Sequence, residues 1–422
     1  MISLIVGVVI LIVIVYKFFI IKVPPNFPPG PRIVIPVIGM SLVEVYKLLL
    51  GQDEIEKHKE YRKRYGFIKV INSYNASIAY FNLSKYKVTS LKLNYRYGNT
   101  YSLMLGGEHL IFLSDYDTMR EAFNKDSTNF RPNGSDDFRK AYAEFKGGDG
   151  ANGIVDSHMT VWKEQRRFAL QHLKNFGFGK STMETQIMDE IHEFTTDLNS
   201  KIKENNEIDF GVSFNIAVMN VLSRILSGSR FDINNEEDKQ RFYDITKLFE
   251  LLGGAKVFIA FGMPYWLREY NPYFKEAMKL IKSMYDMVEK EKNKHLKSYD
   301  PDDMRDYMDC YITEMKKVTE EGNTQSSFNG EAGEINLKAS FNDLYLAGSE
   351  TVSTTLLFSI VYMVNYPKIQ DKIQNELDQV VGRSRLPSLN DRPEMPYIEA
   401  VLSEIQRCAN VAHQSVVVST IF

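Results

Sequence analysis

From Tyr116 to Arg407 the apolar residues of this chain recur almost everywhere with the period of an α-helix, and only "YSLMLGGEHLIFLS" (Tyr101 to Ser114) alternates as strands do. That pattern excludes β-sandwiches and barrels, and it predicts a mainly α fold with a small sheet, here one hairpin turning at Gly106 and Gly107. Helices are expected over Tyr116–Asn124, Thr160–Lys174, Thr182–Asn205, Phe214–Leu226, Glu236–Leu252, Pro272–His295 and Met304–Thr319. A polar, glycine-rich loop, Glu320 to Glu334, then precedes a long apolar helix from Leu337 to about Tyr366. Pro367 suits the first turn of the next helix, ending near Val381, and a connector leads to a last helix, Tyr397 to Arg407.

The N-terminus differs in kind. Met1 to Tyr16 carries no charge and the apolar run resumes after Lys17, giving the roughly 20 residues a helix needs to cross a bilayer. Lys17, Lys22 and Arg32 flank its C-terminal side, which places that side in the cytosol. Residues 1–22 therefore read as an uncleaved signal anchor. A cleaved signal is the rival, disfavoured by the lack of a basic n-region and of a small-residue cleavage site. Residues 23–32, "VPPNFPPGPR", form a stiff proline-rich linker, and residues 33–422 form the body. With 51 basic and 54 acidic residues, the net charge of -3 gives no global field to draw in nucleic acid. Two cysteines, Cys310 and Cys408, are too few for a disulfide framework. Residues 67–98 have no acidic residue and no proline, and deleting them joins "KRYG" to "NTYSLMLGG". They read as a non-family insertion of the kind translated non-coding sequence would give; a genuine β-prone, membrane-facing insertion is the alternative.

Three motifs carry chemistry. In "FNDLYLAGSETVSTTLLF" (Phe341 to Phe358) the small pair Ala347 and Gly348 precedes an acid and a hydroxyl, Glu350 and Thr351. Small side chains leave room beside the helix, and a hydroxyl next to an acid can pass a proton to something bound there. The plainer reading is that these hydroxyls bond back to carbonyls one turn earlier. In "VWKEQRRF", Trp162 and Arg166 are four apart on one helical face, where an indole N–H and a guanidinium suit a carboxylate on a flat apolar ligand; a packed Trp with a surface Arg is the ordinary alternative. In "EIQR", Glu404 and Arg407 share a face, most often a surface pair.

Taken in order with "PPGP", the sequence "WKEQR", "AGSET" and "EIQR" resembles the cytochrome P450 family, specifically the animal microsomal class of drug- and steroid-metabolising enzymes. The resemblance covers most of Pro24 to Ala412 except Phe67 to Gly98. It implies a haem monooxygenase of the endoplasmic reticulum membrane, single-pass with a cytosolic body, oxidising a small lipophilic substrate. NADPH would supply electrons through NADPH-cytochrome P450 reductase, with cytochrome b5 as a further donor. By the same resemblance Trp162 and Arg166 bind a haem propionate, and Ala347 and Gly348 line the groove over the distal face. Glu350 and Thr351 deliver the protons that oxygen activation consumes, and Glu404 and Arg407 form a buried structural pair. The family's axial cysteine sits in a Phe-x-x-Gly-x-x-x-Cys loop, which is absent here. Cys310 and Cys408 read as ordinary helical thiols, so no metal ligand is assigned. The chain is expected to leave the family at His413 to Phe422, before that loop, and to form no haem-thiolate centre. The competing function is thus a non-enzymatic, membrane-anchored product.

Overall fold

In the computed structural model, the structure describes residues 94–105, 108–125, 143, 147–148, 151–157, 159–176, 181–204, 208, 210–232, 235–252, 265–409 and 411. The anchor, the proline-rich linker, most of 67–98 and the tail 413–422 lie outside the described residues.

A hairpin comes first. Strand β1 (Thr100–Leu105) pairs antiparallel with β2 (Glu108–Leu113) in the register Thr100 to Leu113 and Leu105 to Glu108. Helices follow: α1 (Tyr116–Phe123), α2 (Met159–Asn175), α3 (Ser181–Lys203), α4 (Phe210–Ser227), α5 (Glu236–Leu252), the single turn α6 (Tyr265–Arg268), α7 (Pro272–Lys297), α8 (Tyr307–Glu320), α9 (Gly330–Asn365), α10 (Pro367–Val380) and α11 (Pro396–Ala409), with a 3-10 helix at Leu389–Glu394. The mainly α expectation holds. Local chemistry sets several ends: Asp115, Asn271 and Asp306 accept first-turn N–H groups of α1, α7 and α8, and Pro occupies the first turn of α7 and α10.

The long helix α9 is the axis of the body. It packs most extensively on α4 and also against α5, α7, α8, α10 and α11. The core lies among α4, α5, α7, α8 and the N-terminal half of α9, with Met219, Leu248, Ala277, Met308 and Leu337 at 0% exposure. Phe168 of α2 joins it through edge and tilted contacts with Tyr307, Tyr311 and Phe328. Among the described residues, helices α4 and α9 are each long and apolar enough to span a membrane by length and composition, and they pack on each other.

Two expectations about α9 and its approach change. The polar stretch before Leu337 is not all loop, because α9 begins at Gly330. Its polar residues find partners on winding into the helix: Asn336 donates to the carbonyls of Ala332 (2.9 Å) and Ser327 (3.2 Å). The connector before α11 is partly helical, because Ser388 and Asp391 form a reciprocal capping box over Leu389–Glu394.

Candidate functional site

Helix α2 carries Trp162 and Arg166 on one face. The Arg166 guanidinium lies over the Trp162 ring, 5.6 Å from its centroid; Trp162 is half-buried and Arg166 exposed. Cation–π attraction holds the guanidinium beside the indole, and because Arg166 is exposed its N–H donors can reach an anion. The residue between them fixes the helix. Gln165, at 0% exposure, donates to Ser327 Oγ (3.0 Å) and accepts from Tyr311 OH (3.0 Å) and Ser340 Oγ (3.2 Å). Glu164 adds bonds from the Ser327 N–H (2.8 Å) and hydroxyl (2.6 Å). Ser340 stands on α9 two turns before Ala347, about 10 Å along the axis, so α2 is registered against the helix that bears the second motif.

On α9 the small pair divides its roles. Ala347 is exposed, leaving open space beside the helix. At Gly348 a Cβ would meet Leu222 Cδ1 at 2.9 Å and Cδ2 at 3.0 Å. Its missing side chain therefore lets α4 approach closely, and the room expected at that position is filled by Leu222. The hydroxyls bond back one turn: Thr351 Oγ1 donates to the Ala347 carbonyl (2.7 Å), and Ser349, Ser353, Thr355 and Ser359 repeat the pattern. Thr351 thus presents its oxygen's remaining acceptor capacity on the Ala347 side.

Glu350 turns the other way, toward α4 and α5. It accepts from Asn215 Nδ2 at 2.6 Å, and that same nitrogen reaches Thr246 Oγ1 at 3.3 Å. Burial pushes the Glu350 carboxyl up to about 7, opposed by the Asn215 hydrogen bond and assisted by the negative charge of Glu250. A carboxyl poised near neutrality can hold and release a proton at physiological pH. The carboxylate and the Thr351 hydroxyl are adjacent in sequence but point about 100° apart around the helix, and they are not bonded to each other.

The stripe of α9 bearing Ala347 and Thr351 continues one turn earlier at Asp343. There Asp343 Oδ2 accepts the N–H groups of Ile154 (2.8 Å) and Val155 (2.9 Å), and Asn336 Oδ1 accepts that of Gly153 (2.9 Å). The strap 151–157 is thereby fastened to α9 beside the open face. Gly153 has φ 79°, and a Cβ there would stand 2.5 Å from Asp343 Oδ2.

Glu404 and Arg407 correct an expectation. They pair at 2.6 Å, but on the surface, with side chains 59% and 70% exposed. Helix α11 buries the opposite face, led by Ile405, against α10 and α9. The Arg407 guanidinium nevertheless holds the Glu404 carboxyl down at about 2.

Neither cysteine is prepared as a ligand. Cys310 is 7% exposed in α8, and burial, with Asp306 and Asp309 nearby, pushes its thiol up to about 12, so it stays protonated. Cys408 lies on α11 with its sulfur 3.4 Å from Arg407 Nη2 and 3.5 Å from Glu404 Oε1. One group, His295, Asp306 and Asp309, has the spacing of a metal cluster, but its atoms are already committed. His295 Nε2 meets Asp306 Oδ2 at 2.8 Å, Asp306 Oδ1 caps α8, and Arg305 holds both oxygens of Asp309. It joins α7 to α8.

A body built on one long central helix, with a stacked Trp–Arg pair and an Ala-Gly-x-Glu-Thr turn, is the architecture of one class of protein, and the chain belongs to it: the cytochrome P450 family, whose model matches residues 82–419. Among similar proteins are cytochrome P450 2J2 of Homo sapiens, 35% identical over 326 residues (75% of this chain, 60% of that protein), and cytochrome P450 2F2 of Mus musculus, 34% identical over 335 residues (77% and 63%). Cytochrome P450 18a1 of Drosophila melanogaster is 30% identical over 330 residues (76% and 59%). The chain thus spans about three fifths of the length of these relatives.

Haem fits these residues on one side only. The exposed guanidinium of Arg166, lying over Trp162, suits a propionate, whereas Cys310 is buried and held protonated and Cys408 sits on a helix against Arg407 and Glu404, so neither is set out as an axial ligand.

Proposed function

We propose that this chain carries the propionate-binding and proton-handling parts of a haem-dependent monooxygenase acting on a small lipophilic substrate. Electrons would come from NADPH through NADPH-cytochrome P450 reductase, with cytochrome b5 as a further donor. Residues 1–22 would anchor it as a single pass in the endoplasmic reticulum membrane. Haem, when bound, supplies the oxidising chemistry. The chain's own residues bind and orient: Trp162 and Arg166 hold a propionate, Ala347 leaves space over the open face of α9, Thr351 offers a hydroxyl there, and Glu350 stores a proton. The observation that carries this reading is the Trp162–Arg166 cation–π pair on a helix that Gln165 registers against α9.

A second reading has its own observation. Cys310 is held protonated in the core, and Cys408 lies on a helix bonded to Arg407 and Glu404. On this second reading the chain would form no haem-thiolate centre and would be a non-enzymatic, membrane-anchored product.

Trp162 and Trp266 are the two tryptophans, so Trp266→Phe leaves Trp162 as the sole indole reporter. Haem titrated into that variant should quench its emission saturably, and Arg166→Ala should weaken binding about tenfold or more, through loss of a charge-assisted contact. Quenching that does not saturate, or that ignores Arg166→Ala, would remove Arg166 from the proposed site.

A further inference from the structure

Glu350 is held by one side chain, and that side chain has an unusual surplus. Asn215 is 5% exposed, its Nδ2 serves both Glu350 and Thr246, and its Oδ1 is buried with no hydrogen-bond partner among the described residues. A buried amide oxygen without a partner is costly, so its retention calls for a cause. Glu350 offers one. An ionised carboxylate only accepts, whereas a protonated one also donates. Asn215 matches both states: Nδ2 donates to the carboxylate, and a half-turn of the amide presents Oδ1 to the acid's O–H.

We propose that Asn215 is the positioning residue for Glu350, an amide that holds the group in either protonation state and so keeps it aimed at the α4–α5 side of α9 throughout a proton cycle. This rests on the proton-storing role proposed for Glu350. The surroundings agree. Thr246 Oγ1 of α5 lies 3.3 Å from Nδ2 and, being a hydroxyl, can accept from the amide N–H or donate to Oδ1 after the half-turn. The charged groups on this side are Glu250, which opposes ionisation of Glu350, and Lys247, which pairs with Glu250 at 3.5 Å. The hydrogen bond to the ionised form is charge-assisted and is the stronger of the two. Asn215 therefore lowers the proton affinity that burial raises, and its removal should raise that affinity further.

The test is infrared titration of the full chain without haem, following the carboxylic-acid carbonyl band that disappears in Glu350→Gln. In Asn215→Leu the band should persist to higher pH than in the parent, and Asn215→Gln, which keeps an amide, should bring it back toward the parent. Thr246→Val, which frees the amide without removing it, should shift the band the same way by less. If Asn215→Leu does not fold, Thr246→Val carries the test alone. A band that titrates with the parent in the variants that fold overturns the proposal. A parent band that does not titrate near neutral pH would refute the proton-storing role of Glu350, whatever Asn215→Leu does.

Discussion

Replacing Gly153 by alanine should be among the most damaging single-methyl changes in the molecule. The residue sits at φ 79°, where a side chain costs about 1–2 kcal/mol of backbone strain. The new Cβ would lie 2.5 Å from Asp343 Oδ2 and 3.0 Å from the backbone carbon of Ala339. The helix backbone cannot retreat, so the carboxylate must swing. In doing so it releases the Ile154 and Val155 N–H groups, now held at 2.8 and 2.9 Å, and each such charged hydrogen bond is worth roughly 1.5–3 kcal/mol. The sum is about 4–8 kcal/mol, a large part of the 5–15 kcal/mol that usually separates folded from unfolded states. Urea unfolding followed by far-ultraviolet circular dichroism measures it. In an Asp343→Ala background the Oδ2 contact and the two bonds are already gone while the backbone strain and the Ala339 contact remain, so the same substitution should cost at least about 2 kcal/mol less, the signature of direct coupling. A cost below about 1 kcal/mol in the parent, or equal costs in both backgrounds, would refute the claim that Asp343 fastens the strap.

Gln165→Leu should destabilise the chain by about 2–4 kcal/mol in the same assay, since the buried Tyr311 and Ser340 hydroxyls lose their shared acceptor. Burial alone would lower the affinity of His295 for protons, but hydrogen bonds to Asp306 and the Glu291 carbonyl outweigh it and raise the folded value above the ordinary 6.5. The stabilisation this gives is complete below about pH 6.5 and fades as pH rises through the folded value. Unfolding midpoints across pH 5–9 should show that decline, and His295→Gln should abolish it. Alanine at both Glu404 and Arg407 should leave the unfolding midpoint unchanged within error, because the pair is exposed; a marked loss would restore the buried role first expected of it.

The helical body was legible because its apolar period is long and regular, and the hairpin because Gly106 and Gly107 separate two alternating runs. Trp162 and Arg166 could be paired from their spacing, which a single helix converts directly into proximity. Partners from other helices were not legible. Asn215 meets Glu350 across 135 positions and Gln165 meets Ser340 across 175, and a lone Asn or Gln in a helix looks like ordinary surface. Asp343 did leave a signal, an acid one turn before Ala347 in an apolar helix, but its partners are backbone N–H groups, which no side-chain pattern records. The spacing of Glu404 and Arg407 gave their pairing but not their burial, which depends on what covers α11.

On the proposed reading these residues provide a haem's propionate contacts and proton handling, and neither Cys310 nor Cys408 supplies its thiolate. The reduced, carbon-monoxide-treated absorption spectrum of the haem-loaded 422-residue chain tests it most directly. The account predicts no thiolate-type Soret band; a thiolate-type band that vanishes in Cys408→Ser or Cys310→Ser would contradict it.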